Sequence, residues 1–351
     1  MTKRVAVHTF GCRSNYADTV DLRAALLEKG ATPCALEEGT DVLVVNTCTV
    51  TDAADRDVLK FIRKAKSKYP EAEIVVTGCM AEVSSEQLSS LEEVSSVIGP
   101  GRKSELLSAV LGKSVDDEKS SENRLKESVS RASKRLPEHR SISLLDPISE
   151  QIAGPGSVMG ELSTRARYHL RIQEGCENSC TFCIIPFSRG RLSSRAQSDL
   201  LADIDHLTSQ GYKEIVLTGT HIGGYGEDFG ESLFELLLKI KAHDSGARFR
   251  LSSIDPNDLS SDIIDLLAQS DIFCPHLHIC VQAFSDQVLK KMNRKYRMQD
   301  VRDILCYIHR NWPSCCIGAD LIAGFPGESR QEVDQGIDEF LRLPISYLHV
   351  F

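Results

Sequence analysis

The sequence contains no apolar run of the roughly 18 residues that a membrane-crossing helix needs. Its polar start, Met1-Thr2-Lys3-Arg4, leads directly into a strand-like segment and leaves no room for a signal peptide. An excess of positive charge is also missing, because the net charge is −9 and gives no general attraction to nucleic acid. We therefore expect a cytoplasmic protein without membrane association, in which any RNA binding comes from local basic patches.

Cysteine, by contrast, is abundant, with 12 residues in a chain of 351. Without an export signal these cysteines do not indicate a disulfide scaffold, because a reducing cytosol keeps thiols free. Metal binding and buried thiols account for them better. The length of the chain and its hydrophobic content of 41% allow two domains, each with a core of its own.

Three cysteines lie together in one short segment, with the spacing C-x3-C-x2-C: Cys176, Cys180 and Cys183. Thiolates this close can ligate three irons of a cubane cluster, and the loop offers no fourth ligand. Zinc is the alternative, but zinc sites usually take four ligands in pairs such as C-x2-C. The spacing therefore predicts an iron–sulfur cluster with one iron open to a small molecule. Phe182, between the last two ligands, would shield it.

The N-terminal part of the chain alternates strand-like and helix-like segments, which indicates a parallel sheet with helices on its faces. A cysteine closely follows each of three predicted strands: Cys12, Cys48 and Cys79. Ligands of open parallel sheets bind outside the carboxyl ends of the strands, so these cysteines would meet there. The pattern predicts a second three-cysteine cluster. The alternative is three small buried thiols at strand ends.

The periodicity is lost between residues 111 and 161, where charged residues and serine dominate, and this predicts a flexible linker. It separates an N-terminal domain, residues 1–110, from a second domain, residues 162–351. Six strand–helix repeats in the second domain predict a partial (β/α)6 barrel whose working face lies at the carboxyl ends of the strands. The predicted fold class is thus α/β throughout.

The cysteine loop, with an aromatic residue before its last cysteine, resembles the radical S-adenosylmethionine (SAM) superfamily. In that superfamily the open iron binds SAM, and reductive cleavage gives a 5′-deoxyadenosyl radical. The whole constellation resembles the methylthiotransferase family of radical SAM enzymes. The segments that carry this resemblance include Thr9–Asn15, Val45–Val50, Thr77–Cys79, Glu174–Pro186, Met292–Arg294, Gly324–Glu328 and Leu348–Phe351.

Within the family, the segment Leu217–Gly226 is typical of the branch that modifies N6-threonylcarbamoyladenosine in tRNA. That branch adds a methylthio group to carbon 2 of the adenine next to the anticodon. Two other branches remain as alternatives: one modifies N6-isopentenyladenosine in tRNA, and the other modifies an aspartate of a ribosomal protein. A non-catalytic iron–sulfur electron carrier is the competing class.

The resemblance also implies roles for individual residues. The cysteines of the loop would hold a catalytic, radical-generating [4Fe-4S] cluster, and the three N-terminal cysteines an auxiliary [4Fe-4S] cluster that presents sulfur. The residues expected near SAM are Phe182, Gly219, Ser252, Gln282 and Gly324. The basic residues expected to contact tRNA are Arg189, Arg191 and Arg195.

The resemblance implies tRNA as the substrate and an external electron donor, and it leaves the sulfur donor open. The sequence departs from the family pattern at two places. Cys280-Val281-Gln282-Ala283-Phe284 replaces the usual proline, leucine, glutamine, serine and glycine. The sequence also stops at Phe351, where the family continues into a small RNA-binding TRAM domain, so we expect that domain to be absent.

Overall fold

The structure, a computed structural model, describes residues 2–112 and 167–351. The chain divides into two compact units, Met1–Ser157 and Val158–Phe351. The linker predicted for residues 111–161 lies outside the described residues, apart from its first two positions. The predicted domain limits at 110 and 162 stay a prediction. In the described ranges, no helix combines the length and apolar character that crossing a bilayer requires.

The first unit is built on a five-stranded sheet. Its strands are β1 (Arg4–Thr9), β2 (Thr32–Pro33), β3 (Val42–Thr47), β4 (Glu73–Gly78) and β5 (Ser96–Val97). They lie in the order β2-β1-β3-β4-β5, and every pairing is parallel. Strand β3 takes the central position because it is apolar along most of its length, and all six of its residues are buried.

Helices cover both faces of this sheet. They are α1 (Arg13–Glu28), α2 (Asp52–Lys68), α3 (Cys79–Val83), α4 (Ser85–Ser89) and α5 (Lys103–Leu111). On one face, Leu26 of α1 shares a core with Val44. On the other, Ile62 of α2 shares a core with Leu43. Neighbouring residues of β3 thus serve opposite layers, as strand geometry requires. The N-terminal parallel sheet of the predicted fold class is confirmed.

The register of the sheet aligns the ends of its central strands. Thr9 of β1 pairs with Asn46 of β3, and Asn46 in turn pairs with Thr77 of β4. These three residues form one row across the sheet. The segments that leave the three strands therefore start from the same edge, which brings residues that are distant in sequence close together.

The second unit repeats strand and helix. Its strands are β6 (Tyr168–Arg171), β7 (Gln173–Glu174), β8 (Ser193–Ser194), β9 (Glu214–Thr218), β10 (Arg248–Leu251), β11 (Ser253–Ile254), β12 (His276–Gln282), β13 (Cys316–Leu321) and β14 (Tyr347–Val350). Strands β6, β9 and β10 form one parallel sheet, and β11 to β14 form another. Only Ser252 separates β10, at the edge of the first of these sheets, from β11, at the edge of the second. The parallel strands therefore follow one another in chain order across the two sheets. This is the arrangement predicted for the partial barrel.

Helices follow these strands. They are α6 (Ile185–Ser188), α7 (Gln197–Ser209), α8 (Leu233–His243), α9 (Ser261–Ala268), α10 (Asp286–Lys291), α11 (Met298–Asn311) and α12 (Arg330–Phe340). Serine side chains accept a hydrogen bond from the first turn of four of them, which satisfies a backbone N–H that the helix itself leaves unpaired. The capping residues are Ser232, Ser260, Ser285 and Ser329.

Candidate active site

The first group of thiols lies at the aligned edge of the N-terminal sheet. Cys12 immediately precedes α1, Cys48 directly follows β3, and Cys79 is the first residue of α3. Cys48 and Cys79 are buried, whereas Cys12 is exposed. The common register of the strands thus places together the three cysteines that the sequence analysis selected from three separate segments.

Asn15, in the first turn of α1, lies at the centre of this group. Its Oδ1 is 3.7 Å from Cys12 Sγ and 3.9 Å from Cys79 Sγ. Its Nδ2 donates to the carbonyl oxygens of Phe10 at 2.9 Å and Thr47 at 2.7 Å. One buried amide therefore connects two of the thiols to the ends of β1 and β3. No role was predicted for Asn15, and the only signal of one in the sequence is its position three residues after a predicted ligand.

Two glycines allow these segments to approach so closely. Gly11 has φ +103°, and a Cβ added there would lie 2.6 Å from Cys48 Cβ. Gly78 has φ +92°, and a Cβ there would lie 2.4 Å from the carbonyl oxygen of Thr47. Both positions combine a left-handed backbone with a contact too short for any side chain. A larger residue at either one would push the strand ends apart.

The electrostatics of this group fit a bound metal cluster. Burial raises the pKa of Cys48, and negative charge on Cys12 and Cys79 raises it further, although the N–H groups of Val50 and Thr49 act in the opposite direction. Three thiolates crowded at one sheet edge repel each other unless a cation lies among them. Metal binding requires thiolates and supplies that positive charge.

The second group of thiols lies on the single loop between β7 and α6. It consists of Cys176, Cys180 and Cys183. The N–H of Asn178 donates to Cys176 Sγ at 3.4 Å, and the N–H of Cys183 donates to the carbonyl oxygen of Cys180 at 3.1 Å. The loop therefore turns back on itself and holds its cysteines on one side.

This loop has the same electrostatic character as the sheet edge. Burial raises the pKa of Cys183, and negative charge on Cys180 and Cys176 adds to the effect. The N–H of Ile185 and the charge of Arg294 lower it. Here too, a polynuclear iron centre would compensate the charge that the protein brings together.

Arg294 contacts the loop from the segment that follows α10. Its Nη1 donates to Cys180 Sγ at 3.1 Å, and its Nη2 lies 2.5 Å from Asp255 Oδ1. Its Nε donates to the hydroxyl of Tyr296 at 3.0 Å. The Arg294 side chain is only 6% exposed, so these contacts are largely shielded from water.

His221 contacts the loop from the segment that follows β9. Its Nε2 is 2.9 Å from Asp258 Oδ2, and Cys176 is close enough to the ring to interact with it electrostatically. Burial by itself lowers the pKa of His221, but Asp258 and Cys176 outweigh this effect and raise the pKa to about 10. Asp258 and Cys176 thus both favour the protonated imidazole.

The predicted RNA-binding arginines have three different surroundings. Arg189 forms an ion pair with Glu174, and its side chain is only 1% exposed. Arg195 Nη2 is 2.8 Å from Asp203 Oδ2, and the Arg195 side chain is mostly buried. Arg191 is exposed. The buried ion pair leaves Arg189 no surface for RNA, so its predicted role in RNA binding does not fit the structure. The predictions for Arg191 and Arg195 stay predictions.

Glu174 explains why Arg189 is buried. Burial alone would raise the pKa of Glu174, but the charges of Arg171 and Arg189 and a hydrogen bond from Arg189 lower it instead. The carboxylate therefore bridges the end of the first barrel strand and the segment that follows α6. Two arginines that look like a basic surface in the sequence serve to hold the cysteine loop in place.

The residues predicted near SAM all come from segments at the carboxyl ends of strands. They are Phe182, Gly219, Ser252, Gln282 and Gly324. The Ser252 hydroxyl is buried and has no hydrogen-bond partner among the residues that the structure describes. Gln282 and Gly324 have φ of +67° and +75°. An unpaired buried hydroxyl and open turns suit a polar cofactor, but the contacts of these five residues with SAM stay a prediction.

Comparisons with known proteins agree with this geometry. Residues 4–99 match a family model described as uncharacterized protein family UPF0004, and residues 170–340 match the radical SAM superfamily. A threonylcarbamoyladenosine tRNA methylthiotransferase from Aquifex aeolicus is 34% identical, over 99% of this chain and 80% of the relative. The enzyme of that name from Bacillus subtilis is 36% identical, over 99% and 72%. The chain belongs to the radical SAM methylthiotransferase family. The predicted family is thereby confirmed.

Solved structures share the fold of this methylthiotransferase. The radical SAM methyltransferase TsrM from Kitasatospora setae superimposes with a TM-score of 0.64 at 16% identity, over 99% of this chain and 73% of that one. The cobalamin-dependent enzyme OxsB gives a TM-score of 0.59 at 12% identity, over 96% and 52%. Membership of the family makes the protein a SAM-dependent transferase that uses [4Fe-4S] clusters, as predicted.

Gly175, at the start of the cysteine loop, provides a first test of this site. Its φ is +73°, and a Cβ there would lie 1.8 Å from the carbonyl oxygen of Arg191. We expect Gly175→Ala to lower the free energy of unfolding by more than the 1–3 kcal/mol or so that a left-handed backbone costs, and to reduce iron uptake by the loop. Chemical denaturation and iron analysis measure the two effects.

Gly246→Ala is the matched control, because Gly246 has nearly the same φ, +72°, but nothing within 4 Å of the added Cβ. We expect Gly246→Ala to lower the free energy of unfolding only by the cost of the left-handed backbone and to leave iron uptake unchanged. Equal losses of stability in the two variants would show that the contact with Arg191 does not shape the loop.

Proposed function

We propose that this protein adds a methylthio group to carbon 2 of N6-threonylcarbamoyladenosine next to the anticodon of tRNA. Several relatives with that name align with 99% of the chain at 31–36% identity, which supports this substrate. The observation that carries the proposal is the presence of two separate groups of three thiols. One group is on the barrel loop and the other is at the edge of the parallel sheet.

In this proposal Cys176, Cys180 and Cys183 hold the radical-generating cluster, and the N-terminal triad holds the auxiliary cluster. When both clusters and SAM are bound, reductive cleavage of one SAM supplies the radical, the auxiliary cluster supplies sulfur, and a second SAM supplies the methyl group. Three thiol ligands per cluster leave one iron of each free for these tasks. Separate units allow each cluster environment to differ in charge and hydrogen bonding.

The protein would hold these groups in position and keep water away from them. Phe182 meets Phe325 edge to face, with ring centroids 6.4 Å apart, and this pair would shield the loop. Gln282 is the last residue of β12, and the register of the pairing with β13 shifts there. Its positive φ turns the backbone away from the regular strand path. We propose that Ser252 and Gln282 line the SAM site together with Gly219 and Gly324, where backbone can approach closely.

The stretch from the last turn of α10 to the start of α11 is the best-supported RNA surface. Asn293 Nδ2 donates to the carbonyl oxygen of Ser179 at 2.8 Å. The N–H of Thr181 donates to the carbonyl oxygen of Met292 at 3.1 Å. These contacts attach the segment to the cysteine loop. Its exposed basic residues can therefore meet tRNA phosphates next to the reacting base, together with Arg191. They are Lys290, Lys291, Lys295 and Arg297.

The proposed reaction also defines partners and location. Reductive cleavage needs electrons, so we expect an external electron donor, while the sulfur donor remains unassigned. Because tRNA is the proposed substrate, we expect the protein to act in the cytoplasm. The target base must leave its stack to reach a site of this kind, as is usual in recognition of RNA loops.

The ligand assignment is tested by counting iron. Anaerobically reconstituted protein should hold about eight irons, four per cubane cluster. Replacing Cys176, Cys180 and Cys183 together by alanine should leave about four. Replacing the exposed Cys306 and Cys316 should change nothing, and an unchanged iron count in the triple variant would contradict the assignment.

The division of labour is tested with the N-terminal triad. The variant with Cys12, Cys48 and Cys79 all replaced by alanine should still release deoxyadenosine from SAM but form no methylthio product, because its barrel ligands are intact. Mass spectrometry of tRNA nucleosides measures the product. Cys34→Ala is the control, since this partly buried thiol contacts the carbonyl oxygen of Gly39 instead of the triad. Product formation at the parent rate in the triple variant would rule out sulfur delivery from this site.

The substrate is tested by competition between tRNAs that carry threonylcarbamoyladenosine and isopentenyladenosine. The first bears a carboxylate, and Lys291 is a suitable exposed cation, with its Nζ 2.5 Å from the carbonyl oxygen of Gly327 near the barrel face. We expect Lys291→Ala to lower kcat/KM for the first tRNA by about tenfold or more, the value of a charge-assisted hydrogen bond, while Lys295→Ala has a smaller effect. Methylthiolation of the isopentenyl substrate alone would assign the chain to the other branch.

A further inference from the structure

Two side chains reach the cysteine loop from distant parts of the second unit. Arg294 donates to Cys180 Sγ at 3.1 Å. His221 Nε2 is 3.4 Å from Nδ2 of Asn178, the residue whose N–H donates to Cys176 Sγ. Each is paired with a carboxylate of one short turn after β11. Asp255 binds Arg294, and Asp258 binds His221. The same turn thus fixes a side-chain donor to Cys180 and a histidine beside Cys176.

The guanidinium of Arg294 is held on several sides. Besides Cys180 and Asp255, it donates from Nη2 to the carbonyl oxygen of Cys280 at 3.4 Å and from Nε to the Tyr296 hydroxyl. That hydroxyl donates in turn to the Cys280 carbonyl oxygen at 2.6 Å. The planar guanidinium of Arg294 is therefore held in one orientation, in which an N–H points at Cys180 Sγ.

His221 is fixed in a comparable way. Its backbone N–H donates to Gln173 Oε1 at 2.9 Å, and its ring lies 2.9 Å from Asp258. Asp258 also packs tightly against Gly223, where an added Cβ would lie 2.1 Å from Asp258 Oδ2. The imidazole cannot turn away from Cys176 without breaking its hydrogen bond with Asp258.

We propose that Arg294, which donates a hydrogen bond to Cys180, and His221, which lies beside Cys176, are positioning residues that set the reduction potential of the cluster bound there. This inference rests on the proposed function, in which these thiols are cluster ligands. Hydrogen bonds and positive charge beside a cluster stabilise the form that carries the extra electron, so both residues raise its potential. Their small exposure to solvent strengthens the effect, because little water screens the charge.

The test is a redox titration of the reconstituted protein, followed by electron paramagnetic resonance. The full-length chain is used with Cys12, Cys48 and Cys79 replaced by alanine, so that a single cluster is observed. Arg294→Gln and His221→Asn should each shift the midpoint potential to more negative values, and the double variant should shift it further. An unchanged potential in both single variants, with the cluster fully loaded, overturns the proposal.

Matched controls separate this local effect from a change in total charge. Arg302→Gln removes an arginine that pairs with Glu339, and His243→Asn removes a histidine that pairs with Asp205. Both should leave the potential unchanged, and equal shifts in the controls would contradict the proposal. If Arg294→Gln fails to take up iron, Arg294→Lys keeps the charge without the planar fork, and its potential should fall below that of the parent.

Two further measurements distinguish other roles. SAM affinity of the single variants should match the parent, whereas weaker SAM binding at an unchanged potential would make these residues SAM ligands and overturn the proposal. Failure of the proposed function itself would appear differently, as a parent protein that holds the cluster but forms no methylthio product. The shift in potential can be measured in either case.

Discussion

Crowding of negative charge is the constraint on which this structure depends. Each unit brings three cysteines together in a place that burial makes unfavourable for thiolates, as the raised pKa values of Cys48 and Cys183 show. Such an arrangement is stable in the reactive form only with a multivalent cation among the sulfurs. The glycines, the strand register and the buried amide of Asn15 all hold the thiols in this otherwise repulsive geometry.

The two units satisfy this constraint by different means. In the first, parallel pairing aligns three strand ends, and the three cysteines follow closely after the row Thr9, Asn46 and Thr77. In the second, one short loop carries all three cysteines, and the buried pair of Glu174 and Arg189 lies on either side of them in the sequence. A sheet register is difficult to shift by one residue without inverting its buried faces, whereas a loop can be altered locally. The two sites therefore differ in how much of the fold each one needs.

Much of this could be predicted from the sequence because the signals are local. Apolar runs indicated the strands, and the position of Cys12, Cys48 and Cys79 just after strands indicated a common edge. The contacts of Arg294 and Arg189 could not be predicted, because they depend on side chains that pair across long stretches of sequence. A group of arginines looks the same in a sequence whether its members face solvent or a buried carboxylate. Asn15 was missed for a related reason, since its role depends on atoms of three segments at once.

The difference between a sheet-edge site and a loop site has a consequence for how the protein matures. The loop around Cys176 carries its three cysteines within a few residues, so a short stretch of chain already holds the complete set. The sites on Cys12, Cys48 and Cys79 exist as a set only after β1, β3 and β4 have paired. Any metal centre bound by all three of these cysteines therefore requires paired strands, and its presence would report directly that this sheet has formed.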